Sequence, residues 1–357
     1  MAFAAPEYTK AEINRAGDML SGRRPSTGEE RAWAWIVLAN YRACHAYPIN
    51  TFQALLRLRL KAIDLTALVA QRLKRSPSII SKLQRFDGMN LARMQDIGGL
   101  RAVVSSLARV RRLERVYREA KFKHELISAK DYIAEPKPDG YRSVHLIYRY
   151  QNPRAPAYDG LSIELQLRTK LQHAWATAVE TMGTFLGQAL KSGQGERNWR
   201  DFFSVASAAI AIVEKCPPVP GYEELSPEQV FKKVAAEEAK LHVLDKLNGF
   251  AIAADRILKL SGQGAYHLVI LDSTARTVSI QPFSLARLDE ANAAYADIEA
   301  RAAAGKSIEA VLVSAGPIDA LRKAYPNYFL DTQAFVAQIQ KVIKGVGTEA
   351  SQETPSK

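Results

Sequence analysis

The chain has 357 residues, 47% hydrophobic and 24% charged, with a formal net charge of +12. This is too apolar for a disordered chain, long enough for two ordinary domains, and without the ~18-residue apolar run a membrane helix needs. Cys44 and Cys216 are the only cysteines, which excludes a disulfide framework and a Cys-x-x-Cys metal knuckle. With no secretory pattern in the first residues, a cytoplasmic protein without membrane contact is expected.

In chain order, residues 9–46 read as helix, with Thr27 opening a segment through Trp33, Trp35 and Tyr41. Pro48 to Thr51 reads as a break, with Thr51 as the N-cap of a helix carrying Phe52, Leu56 and Leu60. A third helical stretch, Leu65 to Leu73, leads into a basic cluster. Ile97 to Val104 predicts a buried strand and Val110 to Lys121 a helix. Two prolines and Asp139-Gly140 mark a loop, followed by strands at Ser143–Tyr150 and Leu161–Leu167. Helices follow at Leu171–Leu190 and 198–215. Cys216-Pro-Pro-Val-Pro-Gly221 reads as a linker, after which Ser226 and Gln229 have capping-box spacing at the head of a helix running to about Leu247. Short strands at Tyr266–Leu271, Thr277–Pro282 and Ile308–Val313 and helices at Pro317–Ala324 and Asp331–Ile343 complete a small α+β module.

The charge is concentrated. Between Leu55 and Lys130 there are 18 Lys and Arg against 6 Asp and Glu, while the rest of the chain is near neutral. Such an excess suits a polyanionic partner, nucleotide phosphates or nucleic acid. Arg109, Arg111, Arg112, Arg115 and Arg118, at helical spacing, are candidates for the phosphates of an RNA.

Four segments carry residues suited to phosphoryl transfer. Arg72, Lys74, Ser78 and Lys82 can surround a triphosphate and neutralise charge that repels a nucleophile. Asp96-Ile-Gly-Gly-Leu-Arg101 sets an acid at the mouth of a strand, with an arginine beyond it. Lys130 to His145 combines Lys137, Tyr141, Arg142 and His145, a ring for stacking on a base among cations. Glu164-Leu-Gln166-Leu-Arg168 alternates, so its three polar side chains share one strand face.

Taken together and in this order, the four segments resemble the synthetase domain of the RelA/SpoT family over about a third of the chain. The resemblance implies an α/β (α+β) fold with a mixed sheet flanked by helices. It implies a diphosphotransferase that moves a pyrophosphoryl group from ATP to a ribose 3′-hydroxyl with Mg²⁺. Arg72, Lys74, Ser78 and Lys82 would then bind ATP, and Arg101 would stabilise the transferred group. Asp96 and Glu164 would hold the metal, with Glu164 also the general base. Lys130, Lys137, Tyr141, Arg142, His145, Gln166, Arg168 and Glu180 would surround the acceptor. Two departures stand out. Thr181 follows Glu180 where small synthetases of this family often have Glu-His, which puts guanine recognition by that helix in doubt. No histidine is followed by Asp, so the His-Asp pair of the family's hydrolase domain is absent.

The C-terminal half resembles the regulatory module of fused toxin–antitoxin members, the CapRel type, a pseudo-zinc-finger-like fold released by a phage capsid protein. Tyr325 and Tyr328 look like the Tyr-x-x-Tyr autoinhibitory motif of that type. The expected organisation is a synthetase domain at 1–216, a linker at 217–221, a regulatory module at 222–345 and a disordered tail at 346–357. The expected acceptor is the 3′-CCA end of tRNA, in a self-inhibited enzyme of phage defence. The alternatives are GDP or GTP as acceptor, giving (p)ppGpp or an adenosine analogue, and a catalytically inactive RNA-binding module.

Overall fold

The computed structural model describes residues 3–119, 123–186, 190, 195–259, 264–272, 275, 277–303, 308–314 and 328–350. It divides into two compact units, Met1–Tyr132 with Ser143–Thr169, and Ile133–Arg142 with Lys170–Lys357.

The first unit opens with α1 (Lys10–Ser21) and α2 (Gly28–Cys44) in place of one long helix. Thr9 with Glu12, and Thr27 with Glu30, form reciprocal capping boxes that satisfy free N–H groups at each start. Helix α3 (Ala46–Lys61) begins before Pro48, not after it. A proline in the first turn removes only an N–H that has no helical partner there. Thr51 is therefore interior, and its hydroxyl donates to the Tyr47 carbonyl at 3.2 Å.

The expected helix at Leu65–Leu73 is instead strand β1 (Leu68–Leu73). The Asp64 carboxylate accepts the Thr66 N–H and hydroxyl, forming a turn after α3, and the chain then pairs antiparallel with β2 (Gly98–Val104). Pairing with a buried neighbour outweighs the local helical pattern. Between them lies α4 (Ser76–Arg85), with Pro77 in its first turn. Helix α5 (Leu107–Arg118) follows, then β3 (Glu125–Asp131), β4 (Val144–Arg149) and β5 (Ser162–Thr169). Strand β3 was not expected, because a register shift between Leu126 and Ser128 breaks its alternation.

The sheet order is β1-β2-β5-β4-β3, with β2 and β5 parallel and the other neighbours antiparallel. One face is apolar: Leu100, Ala102, Leu146, Tyr148, Ile163, Leu165 and Leu167 are all buried. Helices α3 and α5 cover it. The Tyr148 hydroxyl donates to the Tyr117 carbonyl of α5, and its ring lies 5.5 Å from that of Phe52 on α3. The opposite face carries, in register, Ala70, Arg101, Gln166, His145 and Lys130.

The second unit holds α6 (Lys170–Phe185), α7 (Arg197–Glu214), α8 (Pro227–Leu241) and α9 (Val243–Lys259). It continues through β6 (Tyr266–Asp272), β7 (Thr277–Phe283), α10 (Leu288–Ala303), β8 (Ile308–Ser314) and α11 (Tyr328–Ala350). The Ser226–Gln229 capping box is present. The expected single helix through Leu247 is broken at His242, which takes the left-handed conformation (φ 50°). Strands β7, β6 and β8 form an antiparallel sheet with β6 in the centre.

One core runs from Trp175 on α6 through Phe202 and Phe203 on α7 and Phe250 on α9 to Phe335 and Ile339 on α11. The units therefore part at Thr169/Lys170, not at the proline-rich stretch. Prolines and glycine mark a turn without making it a hinge, and Val219 within that stretch is fully buried in this core. Helix α11 also extends past Ile343, into the tail expected to be disordered. The expected helix at Pro317–Ala324, together with Tyr325, lies outside the described residues. Among the described residues no helix is long and apolar enough to cross a membrane.

Candidate active site

The first unit gathers most of the predicted groups. Lys74 follows β1 directly, and its N–H donates to the Ile97 carbonyl at 2.8 Å, fastening it beside Asp96. Lys74 Nζ reaches Asp96 Oδ2 at 2.9 Å, and Lys82 Nζ, from α4, reaches Oδ1 at 3.0 Å. Burial pushes the Asp96 carboxyl up, but the two ammonium groups outweigh it and hold the group below the usual carboxylate range.

Glu164 on β5 lies opposite Gly99 of β2. His145 Nδ1 is 2.8 Å from its Oε1, and Gln166 Nε2 donates to its Oε2 at 2.8 Å. Burial and the nearby charge of Asp96 both push the Glu164 carboxyl up. The bonds from His145 and Gln166 and the charge of His145 prevail, and Glu164 stays ionised. Arg168 Nη2 and Arg101 Nε donate to Gln166 Oε1 at 2.9 and 3.5 Å. Asp96 and Glu164, 68 residues apart in sequence, are thus close enough to act on each other.

Other predicted residues are placed differently. Arg168 is 1% exposed, a buried support and not a surface cation. Lys130 is exposed at the sheet edge, in register with His145. Ser78 is half-buried on α4. For Arg72 only the backbone, in β1, is described.

Lys137, Tyr141, Arg142 and Glu180 belong to the second unit. There the 133–142 loop is strapped to α7. Ser204 Oγ donates to the Pro138 carbonyl at 2.9 Å and Ser207 Oγ to the Gly140 carbonyl at 2.6 Å. Gly140 has φ 89°, and a Cβ there would sit 2.6 Å from that of Ser207, so only glycine fits. Arg142 is 2% exposed and donates to the Pro217 carbonyl at 2.8 Å. Where an acceptor contact was expected, its buried guanidinium instead bonds Ser207 and Pro217. Tyr141 is half-buried, with Lys137 Nζ 5.2 Å from its ring centre, and lines an apolar cleft with Trp175, Val179 and Phe203. Glu180 is half-buried on α6, whereas Thr181 is fully buried. Tyr328 is the first residue of α11.

Of the five α5 arginines expected to meet RNA phosphates, three are paired within the protein, while Arg112 and Arg115 are exposed. Arg109 pairs with Asp64, Arg111 with Glu114 and Asp131, and Arg118 with Glu114. Helix α5 also covers the apolar face of the sheet, opposite Glu164 and His145. Sequence reasoning missed Asp64 as a structural anchor: it accepts the Ser105 and Thr66 N–H groups and the Thr66 hydroxyl. Only its place just after α3, ahead of Thr66, hinted at this.

Among the described residues no three His, Cys, Asp or Glu side chains cluster as a metal site. Two hard carboxylates that feel each other's charge still fit Mg²⁺, which is commonly held by one or two carboxylates together with substrate phosphates.

A clamped carboxylate beside a lysine-paired aspartate, on one face of a mixed sheet, is what residues 71–183 contribute, and this stretch matches the family described as the region found in RelA / SpoT proteins. The chain thus contains a RelA/SpoT-type domain, running from β1 into α6. In sequence it is similar to two GTP pyrophosphokinases of Bacillus subtilis (strain 168). YwaC is 31% identical over 115 residues, covering 30% of this chain and 52% of that protein. YjbM is 32% identical over 114 residues, with the same two coverages. The chain spans about half the length of these curated relatives. Among solved structures it is similar to small alarmone synthetase 1 from Bacillus subtilis bound to its product pppGpp. The TM-score is 0.39 at 25% identity, over 47% of this chain and 90% of that one. For small alarmone synthetase 2 from Bacillus subtilis the TM-score is 0.41 at 20% identity, over 50% and 94%.

Proposed function

We propose that this protein transfers the β,γ-pyrophosphoryl group of ATP to a ribose 3′-hydroxyl. The observation that carries the reading is the Glu164 carboxylate, held ionised by His145 and Gln166 beside Asp96 with its two lysines. The 3′-oxygen attacks the β-phosphorus, the bond from that phosphorus to the oxygen bridging it to the α-phosphate breaks, and AMP leaves. Glu164 takes the hydroxyl proton. Lys74, Lys82 and Arg72 bind the triphosphate, with Ser78 beside them on α4. Mg²⁺ held by Asp96 and Glu164 would neutralise charge on the phosphates. Such a reaction proceeds by positioning and electrostatics and needs no covalent nucleophile.

For the acceptor, a guanine nucleotide is supported by the names of the curated relatives and by the internal pairing of Arg109, Arg111 and Arg118. The 3′ end of tRNA is the second reading, favoured by the buried Thr181 after Glu180. In either case Tyr141 stacks on the acceptor base with Lys137 beside it. Offering γ-labelled ATP with GDP, GTP and tRNA side by side tests both readings. Label in a guanosine tetra- or pentaphosphate supports the first, label on tRNA the second, and no transfer refutes the enzyme. If Tyr325 and Tyr328 restrain a toxic activity, Tyr325→Ala makes the protein toxic when expressed and adding Tyr141→Ala relieves it. A phage capsid protein would then be the natural activator to try.

A further inference from the structure

The four hydrogen bonds around Glu164 have a direction. A guanidinium can only donate and a carboxylate can only accept, whereas a carboxamide does both. Arg168 Nη2 and Arg101 Nε both point at Gln166 Oε1, so the amide has one orientation, with Nε2 facing Glu164 Oε2 at 2.8 Å. His145 holds the other carboxylate oxygen from the neighbouring strand at 2.8 Å. Arg101, Gln166 and His145 stand in register on three adjacent strands, so the sheet fixes the spacing of the assembly. With a donor on each oxygen, the carboxylate cannot rotate without losing a charge-assisted bond in a nearly buried setting.

We infer that Gln166 is a positioning residue, oriented by Arg101 and Arg168, that fixes the Glu164 carboxylate together with His145 and does not bind the acceptor. This rests on the proposed function and revises the part expected of Gln166 and Arg168 in it. Leucine at this position would fill the space and leave the Oε2 side of Glu164 without its donor. Glutamate would keep both arginine bonds, and so the fold, but would set a second carboxylate against the first.

The experiment uses the full chain with ATP and whichever acceptor the wild type uses. Gln166→Leu and Gln166→Glu each lower kcat about 10- to 100-fold while the acceptor KM stays within about twofold. In a Glu164→Gln background neither change costs anything further, because both act through the same group. A raised acceptor KM with kcat retained, or additive losses in the double variants, overturns the inference. A crystal structure of Gln166→Leu supplies a readout independent of turnover. The Glu164 carboxylate turned out of its wild-type position over an unmoved β5 supports the role, and an unmoved carboxylate overturns it. A wild type that transfers nothing to any acceptor retires the proposed function and is seen before any variant is compared.

Discussion

The two sheets of this molecule treat their faces differently. In the three-stranded sheet both faces are packed. Leu268 and Phe283 meet Ala291 and Tyr295 of α10, while Val269, Leu271 and Val313 join Phe250 of α9 in the larger core. In the five-stranded sheet α3 and α5 bury one face, and the other carries Arg101, Gln166, His145 and Glu164 bonded to one another. Burying polar groups costs free energy that packed hydrocarbon would not. On the proposed function that polar face is kept for its chemistry, whereas the second sheet serves its unit's stability. Changes on the first polar face that keep its hydrogen bonds should therefore alter turnover more than melting, with the reverse for the second sheet.

The largest effect tests that division directly. Glu164→Gln should lower the transfer rate about 10²- to 10⁴-fold, read as AMP release in the presence of acceptor, with little change in thermal midpoint. A loss of fold in step with the loss of rate would erase the distinction. Next comes the anchor beneath the first sheet. Asp64→Ala leaves the Ser105 N–H without its acceptor, takes the ion-pair partner from Arg109 and should cost about 3 kcal/mol in denaturant unfolding. Burial pushes the Asp64 carboxyl up, but the bonds from Ser105 and Thr66 prevail and hold it well below the usual range. Its contribution is therefore complete above the unfolded carboxyl's pKa of about 3.9 and fades as pH falls below that, so the variant's deficit should shrink in strong acid.

For the second sheet, a Cβ at Gly249 on α9 would lie 2.5 Å from a methyl of Leu271 on β6. Gly249→Val should destabilise by about 1–3 kcal/mol, measured by thermal melting, and spare the transfer rate per folded molecule. The smallest effect is a gain. Glu238 accepts the Val243 and Leu244 N–H groups at the start of α9, and burial pushes its carboxyl up to about 7. The folded state then holds a proton that the unfolded chain releases near 4.5, so this group's stabilisation is lost as pH rises from there through 7. Glu238→Gln keeps a carbonyl acceptor for the cap without that ionisation and should raise stability by about 1 kcal/mol at pH 8, with no gain at pH 4.

Much of this was legible in sequence, unevenly. Strands β2, β4 and β5 announce themselves by apolar runs or alternation, and the Ser226 cap by its spacing. β1 did not, because its strand character comes from the partner that Gly98–Val104 supplies across the chain. β3 was masked by its bulge. For the residues expected at the site, local sequence does not show which partners they meet. Nothing local tells that Arg142 turns inward to a carbonyl on Pro217, or that His145 meets Glu164. The same limit hides how the 216–221 stretch is packed, since a run of prolines looks identical whether or not Val219 is buried beneath it.

The strap between the 133–142 loop and α7 bears on how the protein is handled. Its fasteners, Ser204 and Ser207, come more than sixty residues after the loop they secure, and past residue 183, where the recognisable family region stops. A fragment trimmed to that region would contain Tyr141 and Gly140 without the two serines that fasten their loop. A nascent chain is in the same position until α7 emerges from the ribosome, so the loop that carries Tyr141 is fastened only late in synthesis.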